Sequence, residues 1–381
     1  MLDLLRQEIA TSSKLIVVKV GTRVLTGADG MLDLLRIEEL SRQLLAIRRT
    51  GRKVVLISSG AVGAGMSQLG LTRRPTDLAR LQAVAAVGQA KLIEAYDRQL
   101  RKHDCHAAQV LLTADDLNDR VRYLNVRNTL LALSEMNTLP IINENDTVAV
   151  DELMTTFGDN DRLAALVTNL LRATLLVILS DVAGLYDGDP SQPEARIIPT
   201  VRQIDEGVRN LVRDKLTGLS KGGMASKLQA AQMATSVGEN VIIASGREPD
   251  VLTRILDGEP LGTLFLAQGK SVSPWKRWLR FSVQPQGRIH IDAGAADAVV
   301  RSGRSLLAIG IAGADGDFQK GDAVILCDPA GREIARGLTN YSSAQIKQIR
   351  GLRSQEIAGI IGHCPYEEVI HRDNLAVMSP P

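Results

Sequence analysis

Aromatic side chains are scarce: Phe, Tyr and Trp supply only 3% of the 381 residues. The core must then be filled by Leu, Val, Ile and Ala, which favours α/β layers over an all-β sandwich. Cysteine is scarce too. Cys105, Cys327 and Cys364 are odd in number and far apart, so neither a disulfide framework nor a paired-cysteine metal site is expected, and a reduced, cytoplasmic setting fits. Long apolar runs are missing. Leu15–Val18 is far too short to span a bilayer, so no membrane partner is expected, and Asp3, Arg6 and Glu8 precede any apolar run, unlike a signal peptide. The net charge of +2 gives no global argument for nucleic acid or membrane binding; any such site must be local. No GxxxxGK[ST] phosphate loop occurs.

What is present is alternation, over a length that points to two domains. Leu15–Val20 is a continuous β-branched run stopping at Gly21-Thr22, which reads as a strand buried on both faces. Ile37, Leu40, Leu44 and Ile47 recur at helical spacing, and Gly51 can close that helix. Lys53–Ser58 is the next strand, and Leu78, Leu81, Ala85, Gly88 and Leu92 mark a long small-residue helix. Gln109–Thr113, Leu139–Ile142, Leu175–Ser180 and Val241–Ala244 read as further strands, with a packed helix over Ser226–Thr235. Such alternation predicts a mostly parallel sheet covered on both faces. Ligands of such sheets sit at the carboxyl ends of strands, here Gly21, Ser59-Gly60, Asn143–Asp146 and Ser180-Asp181. After about Gly262 the character changes. Gly287–Asp292, Ser305–Ile311, Asp322–Cys327 and Glu333–Leu338 are short strand-like pieces separated by glycine. The reading is therefore a domain over 1–262, a linker over 263–279 and a small, mainly β domain over 280–372.

Each candidate segment has a bland counterpart. Lys19-Val20-Gly21-Thr22 puts a cation beside backbone that a phosphate can approach, or is a strand end with a surface lysine. Ser58–Gly65 suits an anion at a helix start or close helix–strand packing. Asn143-Glu144-Asn145-Asp146 ends an apolar strand with polar groups fitted to an ammonium, and Gly158-Asp159-Asn160-Asp161 repeats the theme as a turn and helix cap. Gly222-Gly223 before Lys227 is a loose phosphate-type entry to a helix. His103-Asp104-Cys105-His106 reads as a solvated helix end rather than a metal site. Trp275-Lys276-Arg277-Trp278 reads as hinge packing rather than a nucleic-acid stripe.

Taken in order, Val18–Thr22, Ser58–Ala61, Ile142–Asp146, Gly158–Asp161, Ser180-Asp181 with Gly184-Leu185-Tyr186, and Gly222-Gly223-Met224 with Lys227 resemble the amino-acid kinase family, most closely its glutamate-phosphorylating branch. The tail resembles a PUA domain at Gly303–Leu307, Gly316-Asp317-Phe318, Gly321-Asp322 and Ser354–Ile357. Lys221 and Ala225 depart from the small polar residues usual at those places. The resemblance implies an αβα sandwich with a mostly parallel sheet. It implies ATP as phosphoryl donor, with Mg2+ carried mainly by the nucleotide phosphates and no protein metal ligand. Lys19 and Lys227 would flank the transferred phosphoryl group, and Asp159 would hold both lysines. Gly21 and Ser59-Gly60 would offer backbone N–H groups. Ser59, Gly60, Asn143, Asp146 and Asn160 would bind L-glutamate, with Asp146 facing its ammonium. Lys19, Gly21, Ser180, Asp181 and the run Lys221, Gly222, Gly223, Met224, Ala225, Ser226, Lys227 would hold ATP. It further implies proline as feedback inhibitor, a homo-oligomer and a downstream glutamyl-phosphate reductase; RNA binding by the tail stays open.

The chemistry is compatible with this. A γ-carboxylate with a reference pKa of about 4.3 is already ionised at neutral pH, so no general base is needed. None of His103, His106, His290, His363 or His371 lies in a motif. Two anions must still be brought together, which calls for two lysines aimed at one point. The acidic clusters favour an acceptor with a free amino group over N-acetylglutamate; aspartate, carbamate and nucleotide acceptors are the alternatives within the family.

Overall fold

The computed structural model describes residues 3–149, 159–212, 222–268, 274–362 and 366–378. Its contacts divide the chain into two compact units, Met1–Ser271 and Val272–Pro381. The first is built on an eight-stranded sheet in the order β3-β4-β2-β1-β5-β7-β8-β6. The strands are β1 (Leu15–Val20), β2 (Lys53–Ser58), β3 (His106–Leu112), β4 (Thr138–Glu144), β5 (Leu175–Ser180), β6 (Thr200–Val201), β7 (Asn240–Ser245) and β8 (Thr263–Phe265). All paired neighbours run parallel except β7 and β8.

The central strands follow from their composition. Ile16, Val17 and Val18 of β1, Val55 and Leu56 of β2 and Leu175 and Leu176 of β5 are all fully buried, as runs covered on both faces must be. Five helices frame the site: α1 (Leu34–Arg49), α2 (Ala61–Leu69), α3 (Leu78–Arg101), α4 (Asp159–Leu171) and α5 (Gly222–Thr235). Leu44 of α1 and Leu92 and Tyr96 of α3 join Ile16, Val18 and Leu56 in one apolar cluster. Helices α2 and α3 cross at glycines. A Cβ on Gly65 would lie 1.9 Å from the Val84 carbonyl oxygen, and one on Gly88 1.8 Å from that of Ala61. Only hydrogen fits at either place. Helices α4 and α5 pack on each other, and α4 also lies against β1.

The stretch read as a linker, 263–279, is structured where it is described. Thr263–Phe265 is β8, fully buried, and the Thr263 hydroxyl oxygen accepts the Leu185 N–H at 2.8 Å. Three residues are too few to show a strand period, and the glycine before them reads as a turn. Pro274–Arg277 forms a helical turn that continues into a wider one at Trp278–Ser282 within the second unit. There Trp275 and Trp278 stack with ring centres 5.1 Å apart.

The second unit is mainly β. Its five-stranded sheet has the order β11-β9-β12-β13-β15, formed by β9 (Gly287–Ile291), β11 (Ile311–Gly316), β12 (Ala323–Cys327), β13 (Glu333–Leu338) and β15 (Leu375–Val377), beside a pair of β10 (Leu306–Leu307) and β14 (Glu368–Ile370). The single strand read over Ser305–Ile311 is thus broken by a 3-10 turn at Ala308–Gly310. Ile289, Leu326, Phe318, Tyr341 and Val369 centre a separate core.

Candidate active site

The carboxyl ends of β1, β2 and β5 lie level: Val20 is opposite Ser58 on one side and Leu179 on the other. The ladder runs one residue further. Gly21 N–H donates to the Leu179 oxygen at 3.1 Å, and Ser59 N–H to the Val20 oxygen at 3.2 Å. Those two amides, read as donors to a ligand, are therefore committed to the sheet. Free donors arise one step on, where Gly60 takes φ +108° and leads into α2. Such a left-handed turn favours glycine. The first helical bond is Ala64 N–H to the Gly60 oxygen, so the preceding amides have no intrahelical acceptor and carry the positive end of the helix dipole.

Three elements bring charge to this point. Lys19 from β1 and Lys227 from α5 are buried, and the Asp161 carboxylate from α4 lies between them. Lys19 Nζ is 2.6 Å from Asp161 Oδ1, and Lys227 Nζ donates to Asp161 Oδ2 at 3.1 Å and to the Gly223 oxygen at 3.1 Å. Ser226 Oγ donates to the same carboxylate oxygen at 2.8 Å. Burial alone would raise the Asp161 carboxyl, but the two ammonium groups outweigh it and hold it below the usual range. Burial pushes the Lys227 ammonium down, against the attraction of Asp161 and with the repulsion of Lys19. The sequence pattern assigns the bridging place to Asp159; the carboxylate found there is that of Asp161, and the Asp159 side chain lies outside the described residues.

Beside the charges lies a relay of neutral amides. Asn160 Nδ2 donates to Ser59 Oγ and to Asn143 Oδ1, each at 3.0 Å, and Asn143 Nδ2 donates to Gln89 Oε1 of α3 at 2.9 Å. On the other flank Arg23 Nη1 pairs with Asp181 Oδ2 at 2.9 Å. Burial raises the Asp181 carboxyl, yet the hydrogen bonds from Arg23 and Ser180 bring it below the usual range.

A cleft of about 440 Å³ joins these groups. Lys19, Gly21, Ser59, Gly60, Asn143, Asp146 and Asn160 all line it. So do Ser180, Asp181, Gly223, Ser226 and Lys227. Met224 and Ala225 do not line it: Gly223, Ser226 and Lys227 are spaced to share one face of α5, and the two residues between them turn away. Lys221 and Gly158 lie outside the described residues, and Gly222 is described only as the first residue of α5. Arg23, Arg74 and Asp161 line the cleft although sequence reasoning does not single them out, and Gln89 supports it from behind. For Asp161 the second aspartate of Gly158–Asp161 is a signal; Arg23 and Arg74 carry none, since only the folded chain brings their loops to the cleft. At the other end of α3 the His103–His106 stretch does not converge: His103 meets Arg49, His106 faces Asp97 and Cys105 is buried.

The sequence pattern of the Amino acid kinase family matches residues 14–245, and that of the PUA domain matches residues 287–361. A protein named Glutamate 5-kinase from Rhodopirellula baltica is 50% identical over 99% of this chain and 97% of its own length. Proteins of the same name from Syntrophus aciditrophicus and Moorella thermoacetica are 44% and 46% identical, covering 98% and 97% of this chain and 96% and 97% of their own lengths. With its first unit carrying two lysines, their shared aspartate and a polar pocket on one sheet edge, the chain belongs to the amino acid kinase family.

Proposed function

We propose that this protein transfers the terminal phosphoryl group of ATP to the γ-carboxylate of L-glutamate, giving L-glutamyl 5-phosphate for proline synthesis. The observation that carries this is the convergence of Lys19 and Lys227 on Asp161 beside the pocket of Ser59, Asn143, Asp146 and Asn160. The relatives named Glutamate 5-kinase support the choice of acceptor. An ionised carboxylate needs no base, so the work left is positioning and charge neutralisation. Lys19 and Lys227 meet the charge of the transferred group, while Asp161 keeps both ammonium groups aimed at one place. Amides at the start of α2 and the Ser59 hydroxyl meet the acceptor carboxylate, and Asp146 its ammonium. Ser180, Asp181 and the Gly223 face of α5 hold the nucleotide. Magnesium is assigned to the nucleotide phosphates, where it offsets charge. The acyl phosphate product hydrolyses readily, which favours prompt hand-off to a glutamyl-phosphate reductase. Proline as feedback inhibitor, a homo-oligomer and a cytoplasmic location, which suits the buried free thiols of Cys105 and Cys327, complete the reading.

The test is ADP release with L-glutamate, L-aspartate, N-acetyl-L-glutamate and carbamate in turn, with hydroxylamine present to trap an acyl phosphate. Glutamate-dependent ADP release with hydroxamate formation is expected. Turnover of another acceptor with none of glutamate would overturn the proposal.

A further inference from the structure

We infer that Gln89 is a positioning residue for the acceptor, fixing the direction of the amide relay so that the Ser59 hydroxyl is left as a donor towards the acceptor's carboxylate. This rests on the phosphotransfer reading above. Gln89 is only 8% exposed, on α3, next to Gly88, where that helix crosses close against α2. An amide oxygen can only accept. Gln89 Oε1 therefore selects the NH2 end of Asn143 as its partner, and the Asn143 oxygen is turned towards Asn160. Asn160 Nδ2 then donates both to Asn143 and to Ser59 Oγ. A hydroxyl that accepts in this way keeps its own proton for another partner, and Ser59 lines the cleft. Reversing any one amide would set like against like, donor on donor or acceptor on acceptor.

A second observation shows that packing does not call for glutamine here. Gln89 Nε2 is buried with no hydrogen-bond partner among the described residues. An unmade buried donor is unfavourable, and a methionine of similar shape would avoid it. The oxygen, not the nitrogen, is what the site uses.

The full-length Gln89→Met and Gln89→Glu variants test this. Loss of the acceptor oxygen in Gln89→Met is expected to raise the KM for glutamate about tenfold, as for one hydrogen bond, and to leave the KM for ATP within about twofold. Burial favours the neutral carboxyl in Gln89→Glu, whose carbonyl oxygen still accepts, so this variant should recover most of the glutamate KM. An unchanged glutamate KM in Gln89→Met, an equal rise in both KM values, or no recovery in Gln89→Glu overturns the inference. A wild-type protein that turns over a different acceptor overturns only the glutamate reading, and the same comparison is then made on that acceptor.

Discussion

At the residue scale the site turns on two ammonium groups that share one carboxylate. Lys227 is held down by burial and by Lys19, and held up chiefly by Asp161, with a smaller contribution from Asp181. As pH rises it therefore loses its proton before an ordinary lysine would, and with it the charge that meets the transferred group. The alkaline limb of kcat/KM should fall below the usual lysine range of about 10.4. Asp161→Asn removes the attraction and leaves the burial and the repulsion. Its alkaline limb should move to still lower pH, and kcat should drop about 100-fold, the scale of losing one preorganised electrostatic contact. A pH–rate profile of both proteins checks this; a limb that stays put or moves upward in the variant refutes the assigned role. Both lysines are legible in the sequence because each ends or follows a recognisable element. The aspartate is legible only to within two residues. The segment Gly158–Asp161 offers two aspartates, and which of them faces the lysines depends on where α4 starts, a boundary that sequence places only to one or two positions.

At the element scale the acceptor pocket depends on how closely α2 and α3 approach. A Cβ on Gly88 would meet the Ala61 oxygen at 1.8 Å and the Gly65 nitrogen at 2.2 Å, both backbone atoms that cannot swing aside. Gly88→Ala must part the helices. It should lower stability by about 1–3 kcal/mol or more, as overpacking does, and raise the glutamate KM because Gln89 moves with α3. Gly188→Ala, with nothing within 4 Å of the added carbon, should stay within about 0.5 kcal/mol of wild type. Urea unfolding of the two variants compares them directly, and equal midpoints would refute the packing argument. The strands most legible in the sequence are those buried on both faces: the expected bounds of β1, β2 and β5 match those observed. Edge strands are less so. The first three residues of β3, His106-Ala107-Ala108, carry little apolar signal and are half-buried or exposed, so the sequence pattern shows the strand only from Gln109 onwards. β8 escapes sequence reasoning because its antiparallel partner β7 is set by tertiary contact, not by any period in Thr263–Phe265.

At the scale of the whole chain, the shift in composition after Gly262 announces a second unit, and the contacts divide the chain at Val272. The difference has a physical cause: Trp278 and Leu279 are buried, so a stretch that looks like hinge by its Ser, Pro and basic residues contributes to a packed structure. The charges, hydrogen-bond donors and amides assigned to the reaction all lie between Lys19 and Lys227, inside the first unit. That unit has an apolar core of its own, separate from that of the second, and a domain with its own core can fold alone. The chain cut after Ser271 should therefore keep glutamate-dependent ADP release of the same order as the full-length protein, with KM values for ATP and glutamate unchanged within experimental scatter. The second unit would then act on something other than the chemical step. Near balance of acidic and basic residues in it predicts weak, salt-sensitive association with tRNA at most, and a titration across a salt series measures that directly. Loss of turnover in a truncated protein that still unfolds cooperatively would show instead that the second unit completes the active site, and the assignment of every catalytic group to the first would fail.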